Sequence, residues 1–110
     1  MSAKTGLCIE DLSVGQSATY TKTVTEADIV KFADISGDDN PVHLDQAFAE
    51  TTEFGERLVN SLFTLGLMIG ISVSDTTLGT TIGNLGMTEV RFPKPVFHGD
   101  TLRVTTEVLS

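Results

Sequence analysis

The segment SGDDNPVH, residues 36–43, brings two side chains that can exchange protons into one short stretch. Asp38 and His43 are five positions apart, which on a continuous helix would turn them about 140° away from each other. Pro41 cannot continue a helix and biases Asn40 towards an extended conformation, so we expect the chain to bend between the two side chains. A carboxylate and an imidazole that converge on one water molecule form a general acid and base pair.

The same segment also fits a purely structural role. Clusters of Asp, Asn and Pro are common in turns and helix caps, and a histidine after a turn often only forms hydrogen bonds. Asp38, Asp39 and Asp45 offer carboxylates, but a hard-cation site needs more oxygen ligands in a recognisable loop, so we expect no metal. His98 in VFHGD is interpreted as a solvent-facing turn residue and Cys8 as a space-filling one. The residues alone leave both interpretations of the segment open.

Two elements are predicted before this segment. Gln16–Val24 (QSATYTKTV) alternates and is rich in Thr, which is typical of a strand. Thr25 is suited to cap a helix, with acidic residues in its first turn, and Gly37 is suited to end it. The predicted apolar face of this helix, at positions i, i+3, i+4 and i+7, consists of Ile29, Phe32, Ala33 and Ser36.

An apolar helix is predicted in the middle of the chain. Residues 38–57 are polar and irregular, with one helical turn around Asp45–Ala49, and Asn60 is then a good N-cap. The run LVNSLFTLGLMIGISV predicts a helix to about Val73. A bilayer span needs about 20 apolar residues, so we interpret this run as a buried core helix.

The remainder predicts two strands, Thr81–Phe92 and Thr101–Leu109, joined by PKPVFHGD. A helix that is apolar all round needs cover on every side, and three strands with one amphipathic helix supply little. We therefore expect the chain to assemble as an oligomer and also to stop short of further strands, because VTTEVLS still has strand character.

Composition limits the classes of function. The chain has 110 residues and a formal net charge of −8, which disfavours binding to nucleic acids and anionic membranes. One domain over residues 1–110 is expected from this length. The single cysteine cannot form an internal disulfide, and the N-terminus lacks the pattern of a secretion signal, so we expect a cytoplasmic protein.

The longer segment FADISGDDNPVHLDQAFAETTEFGERLV closely resembles the signature of the MaoC-like dehydratases, the (R)-specific enoyl-CoA hydratase family. The resemblance extends from the first strand through FPKPVFHGDTL. It implies an α+β hot-dog fold, in which an antiparallel sheet wraps around one long central apolar helix and two copies usually pair as a dimer. It also implies that family members continue with strands beyond residue 110.

The resemblance assigns roles residue by residue. The family's catalytic aspartate and histidine fall on Asp38 and His43, and Asn40 shapes the turn between them. The family commonly has His-Gly at the start of the central helix, where this chain has Asn60 and Ser61. Any residue except proline keeps the backbone N–H that holds the thioester oxygen, so the resemblance assigns that donor to the Ser61 amide.

The function that the resemblance implies is reversible hydration of an enoyl-CoA to a 3-hydroxyacyl-CoA, without a cofactor beyond the coenzyme A of the substrate. Two alternatives stay open: a hot-dog acyl-CoA thioesterase, and a non-catalytic partner subunit that binds acyl thioesters. A thioesterase would release free thiol, whereas a hydratase would remove the enoyl absorbance without thiol. The expected contacts to the acyl group, the coenzyme phosphates and the rest of the substrate come from Asn40, Asn60, Phe63, Met68, Arg91 and Lys94.

Overall fold

The described part of the chain, residues 6–110 of a computed structural model, combines four α-helices with two strands. The order is β1 (Ser17–Thr23), α1 (Glu26–Ser36), α2 (Pro41–Leu44), α3 (Gln46–Ala49), α4 (Ser61–Gly70) and β2 (Thr101–Glu107). Short 3-10 turns lie at Ile9–Asp11 and Val73–Asp75.

Strands β1 and β2 pair with each other in a two-stranded sheet. The hydroxyl groups of Thr19 and Thr105 lie 3.3 Å apart, and those of Thr23 and Thr101 lie 2.7 Å apart. Because the partner numbers rise on one strand and fall on the other, the sheet is antiparallel. Both predicted strands are confirmed here. β1 is slightly shorter than predicted at both ends, and β2 is shorter only at its C-terminal end.

The prediction of a strand at Thr81–Phe92 is wrong for the described chain. These residues form neither helix nor strand, and all of them are exposed. Ile82 and Leu85 are fully open to solvent. A strand is stable only beside a hydrogen-bonding neighbour, and in residues 6–110 no strand pairs with this segment.

The helices after α1 differ from the prediction in two places. The segment after Asp38 was expected to be irregular, but Pro41 begins α2, because a proline fits the first position of a helix, where its missing N–H is not needed. Helix α4 ends at Gly70, three residues before the predicted end at Val73. None of the residues of α4 is buried by the described chain, and Leu62 is 60% exposed, so the expected full burial of this helix is not found here.

Residues 6–110 divide into two compact units. Unit A consists of Thr21–Leu65 and Phe92–Leu102, and unit B of residues 6–20, Gly66–Arg91 and Arg103–Ser110. The core of unit A is formed by buried Val24, Ile29 and Val59, with half-buried Leu44, Phe63, Val96 and Leu102 packed against it. In unit B, the Gly6 N–H donates to the Leu78 carbonyl over 2.6 Å and the Leu7 N–H donates to the Thr76 carbonyl over 2.5 Å. The expectation of one domain over residues 1–110 stays a prediction.

Candidate active site

Asp38 is positioned by helix α1, which ends two residues before it. Its N-terminus is capped by Thr25, whose hydroxyl accepts a hydrogen bond from the Asp28 N–H, while the Asp28 carboxylate accepts one from the Thr25 N–H over 2.9 Å. Its C-terminus ends at Gly37, which has a φ of 78°. This left-handed conformation costs little only for glycine, and it turns the chain sharply so that Asp38 leaves the helix axis. The predicted boundaries of this helix are confirmed.

Helix α2 carries His43. Asn40 has a φ of −53° and a ψ of 131°, the extended conformation expected before a proline, and its side-chain oxygen accepts from the Val42 N–H over 3.3 Å. Pro41 follows as the first residue of α2, which places His43 in the last turn of this short helix. The bend that Pro41 was expected to impose is therefore present, and it takes the form of a capped helix start.

The ring of His43 is held by the neighbouring segment. Its Nδ1 lies 2.7 Å from the Leu58 carbonyl oxygen. A carbonyl only accepts hydrogen bonds, so we infer that Nδ1 carries a hydrogen and that Nε2 is the nitrogen left to exchange a proton. The Leu58 N–H also donates to the Val42 carbonyl over 3.1 Å, and Arg57 Nε donates to the His43 carbonyl over 2.8 Å. Three hydrogen bonds thus fix α2 against residues 57–58.

Asp38 and His43 converge, as predicted. His43 Nε2 lies 3.3 Å from Asp38 Oδ2, and the two side chains are 14% and 41% exposed, respectively. The other carboxylate oxygen of Asp38 accepts from the Asn40 N–H over 3.3 Å. Asn60 Nδ2 donates to Asp38 Oδ2 as well. Contacts with Asn40 in the turn, with His43 of α2 and with Asn60 before α4 therefore orient the carboxylate.

A small pocket opens beside this pair. Its volume is about 10 Å³, which is close to the space that one water molecule needs. Phe32 and Phe63 meet edge to face in its wall, with ring centroids 6.0 Å apart and planes at 82°. The pocket is lined by Ile29, Phe32, Ala33, Asp38, His43, Val59, Asn60 and Phe63. A water molecule held there lies beside an acid and base pair and the Asn60 amide, and the rest of the wall is apolar.

Ser61 is the first residue of α4. The N–H groups of the first turn of a helix have no acceptor within the helix, and the helix dipole adds positive potential there. In the part of the chain that the structure describes, no group accepts a hydrogen bond from the Ser61 N–H. Ser61 itself is exposed and does not line the small pocket.

Four of the predicted substrate contacts do not line the small pocket. Asn40 lies in the turn and Lys94 is exposed, and neither lines the small pocket. Met68 and Arg91 belong to unit B, where both are exposed. Of the predicted substrate-binding residues, the structure brings Asn60 and Phe63 to Asp38 and His43.

Several residues of the site were not predicted from the sequence. Phe32 was predicted only as part of the apolar face of α1, and its spacing from Gly37 was the signal that could have placed it near Asp38. Arg57 and Leu58 gave no such signal, because they act on His43 through hydrogen bonds between segments distant in sequence.

Other side chains that could take part in a reaction do not line the small pocket. His98 is exposed, and its Nε2 lies 3.5 Å from a carboxylate oxygen of Glu26. Cys8 is exposed and has a free thiol. Across residues 6–110, no cluster of three or more His, Cys, Asp or Glu side chains could hold a metal ion. None of the helices described is long and apolar enough to span a bilayer.

Arg57 connects the site to the first turn of α1. Its guanidinium donates to both carboxylate oxygens of Glu26, over 2.6 and 3.2 Å, and its side chain is only 12% exposed. The hydrogen bonds from Arg57 lower the pKa of Glu26 below its usual 4.5. A carboxylate with a lowered pKa in the folded state stabilises the protein above the unfolded-state value and loses this contribution as the pH falls.

We therefore expect Glu26→Gln to lower the free energy of unfolding by about 0.5–1 kcal/mol at pH 7, because the pair is partly exposed. The difference from the unsubstituted protein should shrink as the pH falls below 4.5, where Glu26 is protonated in the unfolded chain. Denaturant unfolding at pH 7 and at a pH well below 4.5 measures both values. Glu53→Gln, at an exposed turn position, is the matched control. An equal loss at both pH values would contradict the expectation.

The chain is similar in sequence to a known family of domains and to named members of it. The model of the MaoC-like domain matches residues 12–110. The 3-hydroxybutyryl-CoA dehydratase of Methylorubrum extorquens is 38% identical over 106 residues, an alignment that covers 93% of this chain and 64% of the relative. The (R)-specific enoyl-CoA hydratase of Rhodospirillum rubrum is 36% identical over 103 residues, covering 90% of this chain and 67% of the relative.

A solved structure shows the same similarity. The R-hydratase PhaJ1 from Pseudomonas aeruginosa, in its unliganded form, superposes with a TM-score of 0.77 and 39% identity, covering 92% of this chain and 64% of that one. The predicted hot-dog fold is confirmed by this similarity. The chain thus spans slightly less than two thirds of the dehydratase from Methylorubrum extorquens and of the Pseudomonas hydratase.

Proposed function

Because this chain belongs to the family of MaoC-like domains, we propose that it reversibly adds water across the 2,3 double bond of an enoyl-CoA, giving a 3-hydroxyacyl-CoA. The observation that carries the proposal is the 3.3 Å approach of His43 Nε2 to Asp38 Oδ2 beside a pocket with room for about one water. The relatives named above support the substrate class, since their names include a hydroxybutyryl-CoA dehydratase and an enoyl-CoA hydratase.

The proposed reaction assigns one proton transfer to each member of the pair. The water oxygen bonds to C3, and the proton that the water loses passes to one member. The other member supplies the proton that C2 gains, so the pair ends with one proton moved from one side chain to the other. The 3.3 Å separation of Nε2 and Oδ2 supports return of this proton through a hydrogen bond, which resets the site.

Negative charge develops on the thioester oxygen between these two steps. We assign its stabilisation to the Ser61 N–H, which lies at the N-terminus of α4 and has no acceptor in residues 6–110. A donor fixed in the backbone needs no reorganisation as the charge forms, which makes it effective for an enolate. Phe63 and Met68 are proposed to contact the acyl group, and Arg91 and Lys94 the phosphates of coenzyme A. Asn40 and Asn60 are proposed to border the substrate.

The proposed setting follows from the same chemistry. Acid and base catalysis on one water needs no cofactor beyond the coenzyme A of the substrate. The single cysteine, Cys8, supports a reducing cytoplasmic compartment, and the net charge of −8 disfavours nucleic acids and anionic membranes as partners.

A direct assay tests the proposal. Crotonyl-CoA is incubated with the protein while the enoyl absorbance and the release of free thiol are recorded together. We expect loss of absorbance without thiol, with 3-hydroxybutyryl-CoA as the product. Release of thiol from acyl-CoA esters would instead identify a thioesterase. Binding of crotonyl-CoA without turnover would identify a non-catalytic subunit.

A dimer or larger oligomer of this chain is also proposed. Helix α4 has no buried residue, and Leu62, Met68 and Ile69 are 60%, 44% and 40% exposed. A soluble monomer rarely leaves so many large apolar side chains of one helix uncovered, and closed symmetric pairs are the commonest way to cover them. Sedimentation velocity at micromolar concentration should give at least twice the monomer mass. A well-folded monomer under these conditions would contradict the proposal.

A further inference from the structure

We propose that Asn60 is a positioning residue for Asp38, and that it joins the start of α4 to the acid and base pair through one side-chain amide. The inference rests on the proposed function for its catalytic consequence. It deepens that function, because it gives the Asn60 side chain a role in holding the proposed catalytic aspartate.

The two ends of the Asn60 amide point to two different partners. Its Oδ1 accepts from the Leu62 N–H over 2.8 Å, so Asn60 is the N-cap of α4. Its Nδ2 donates to Oδ2 of Asp38, the same oxygen that His43 Nε2 approaches. Because the amide is planar, fixing one end on the helix also fixes the direction of the other.

This arrangement orients the Asp38 carboxylate. A hydrogen bond donated to a carboxylate is charge-assisted and orients the oxygen that accepts it. Among the described residues, the titratable group within ion-pair distance of Asp38 is His43, and the backbone donor is the Asn40 N–H. Asn60 therefore adds a neutral donor that does not titrate with either member of the pair.

Burial supports a role inside the protein. Asn60 is half-buried, lines the small pocket and is adjacent in sequence to buried Val59, which belongs to the core of unit A. The Val59 N–H donates to the Val96 carbonyl over 2.8 Å, so the backbone before Asn60 is fixed. A side chain on a fixed backbone can hold a carboxylate with little loss of its own freedom.

Two substitutions separate the contact to Asp38 from the cap of α4. Asn60→Ser and Asn60→Asp both keep a good N-cap for the Leu62 N–H, but neither side chain donates to Asp38 as the amide does. Asn60→Ala, which removes the cap as well, is the control for stability. We expect Asn60→Ser to lower kcat about 10-fold and Asn60→Asp up to about 100-fold, with KM changed less than threefold, as expected when an oriented group is released.

A readout that a merely structural role would not move is the NMR signal of the Asp38 carboxyl carbon, recorded in ¹³C-labelled protein at pH 7. This signal reports the hydrogen bonds that the carboxylate accepts. We expect it to change position in Asn60→Ser and in Asn60→Asp, because both variants lack the amide that donates to Asp38 Oδ2.

The NMR measurement does not require turnover, so it tests the contact even if the protein hydrates no enoyl-CoA. An Asp38 carboxyl signal at the same position in the unsubstituted protein and in both variants would overturn the inference. Loss of kcat that only follows loss of melting temperature, with Asn60→Ala the worst, would also overturn it and leave Asn60 as a helix cap.

Discussion

Asp38→Asn and His43→Gln are each expected to lower kcat for enoyl-CoA hydration by about 10²- to 10⁴-fold, the usual contribution of a general acid or base. Each change roughly keeps the size of the side chain and removes its capacity to exchange a proton. The amide that replaces the Asp38 carboxylate has one acceptor oxygen instead of two. Leu58 can still accept from the Gln amide, and Asn60 can still donate to the Asn oxygen, so the fold and the affinity for substrate should change little. Steady-state kinetics with crotonyl-CoA, together with melting temperatures, measure both effects.

The double variant distinguishes a cooperating pair from two independent groups. Because both side chains are proposed to act on one water, removing the second should cost little once the first is gone. Asp39→Asn is the matched control, since Asp39 is exposed and next in sequence to Asp38 but does not line the small pocket. Activity that falls only in proportion to lost stability would show that His43 is a structural turn residue.

Ser61→Pro is expected to lower kcat by about 10²- to 10³-fold, the usual cost of removing one donor to a developing oxyanion. Most proline substitutions in a helix would also unfold it. Ser61, however, is the first residue of α4, the position where proline is tolerated, because its N–H makes no bond within the helix. The change therefore removes one N–H and leaves the helix intact.

Ser61→Ala separates the backbone from the side chain at this position. It keeps the N–H and removes only the hydroxyl, so it should retain at least about tenfold more activity than Ser61→Pro. Circular dichroism and melting temperature check that both variants fold. Equal activity of the two folded variants would show that the Ser61 amide does not hold the thioester oxygen.

The parts of the site that depend on neighbours in sequence could be predicted from the sequence. The Thr25 cap and the Gly37 stop define α1 within a few residues, and they place Asp38 directly after it. The Asn-Pro pair predicts a bend for the same local reason. The prediction that the segment after Asp38 is irregular was wrong at Pro41. A proline breaks a helix in its interior, but it can be the first residue of one, as it is in α2.

The parts that depend on distant segments could not be predicted in this way. The Leu58 carbonyl that holds the His43 ring and the Asn60 amide that holds Asp38 come from 15 and 22 positions away, respectively. No local pattern marks a backbone carbonyl for such a contact. The strand predicted at Thr81–Phe92 failed for a related reason: alternation indicates which side chains share a face, but not whether a neighbouring strand is present.

Strand β1 can pair with β2 only after both have emerged from the ribosome. Thr23 and Thr101 are 78 positions apart, so closing this loop costs on the order of 4 kcal/mol of chain entropy. At about 5–20 residues per second, translation takes roughly 4–16 s to make the second strand after the first. During that time the backbone of β1 has no partner strand. Its sequence, SATYTKT, contains little apolar surface and includes Lys22, features that disfavour edge-to-edge association of nascent chains.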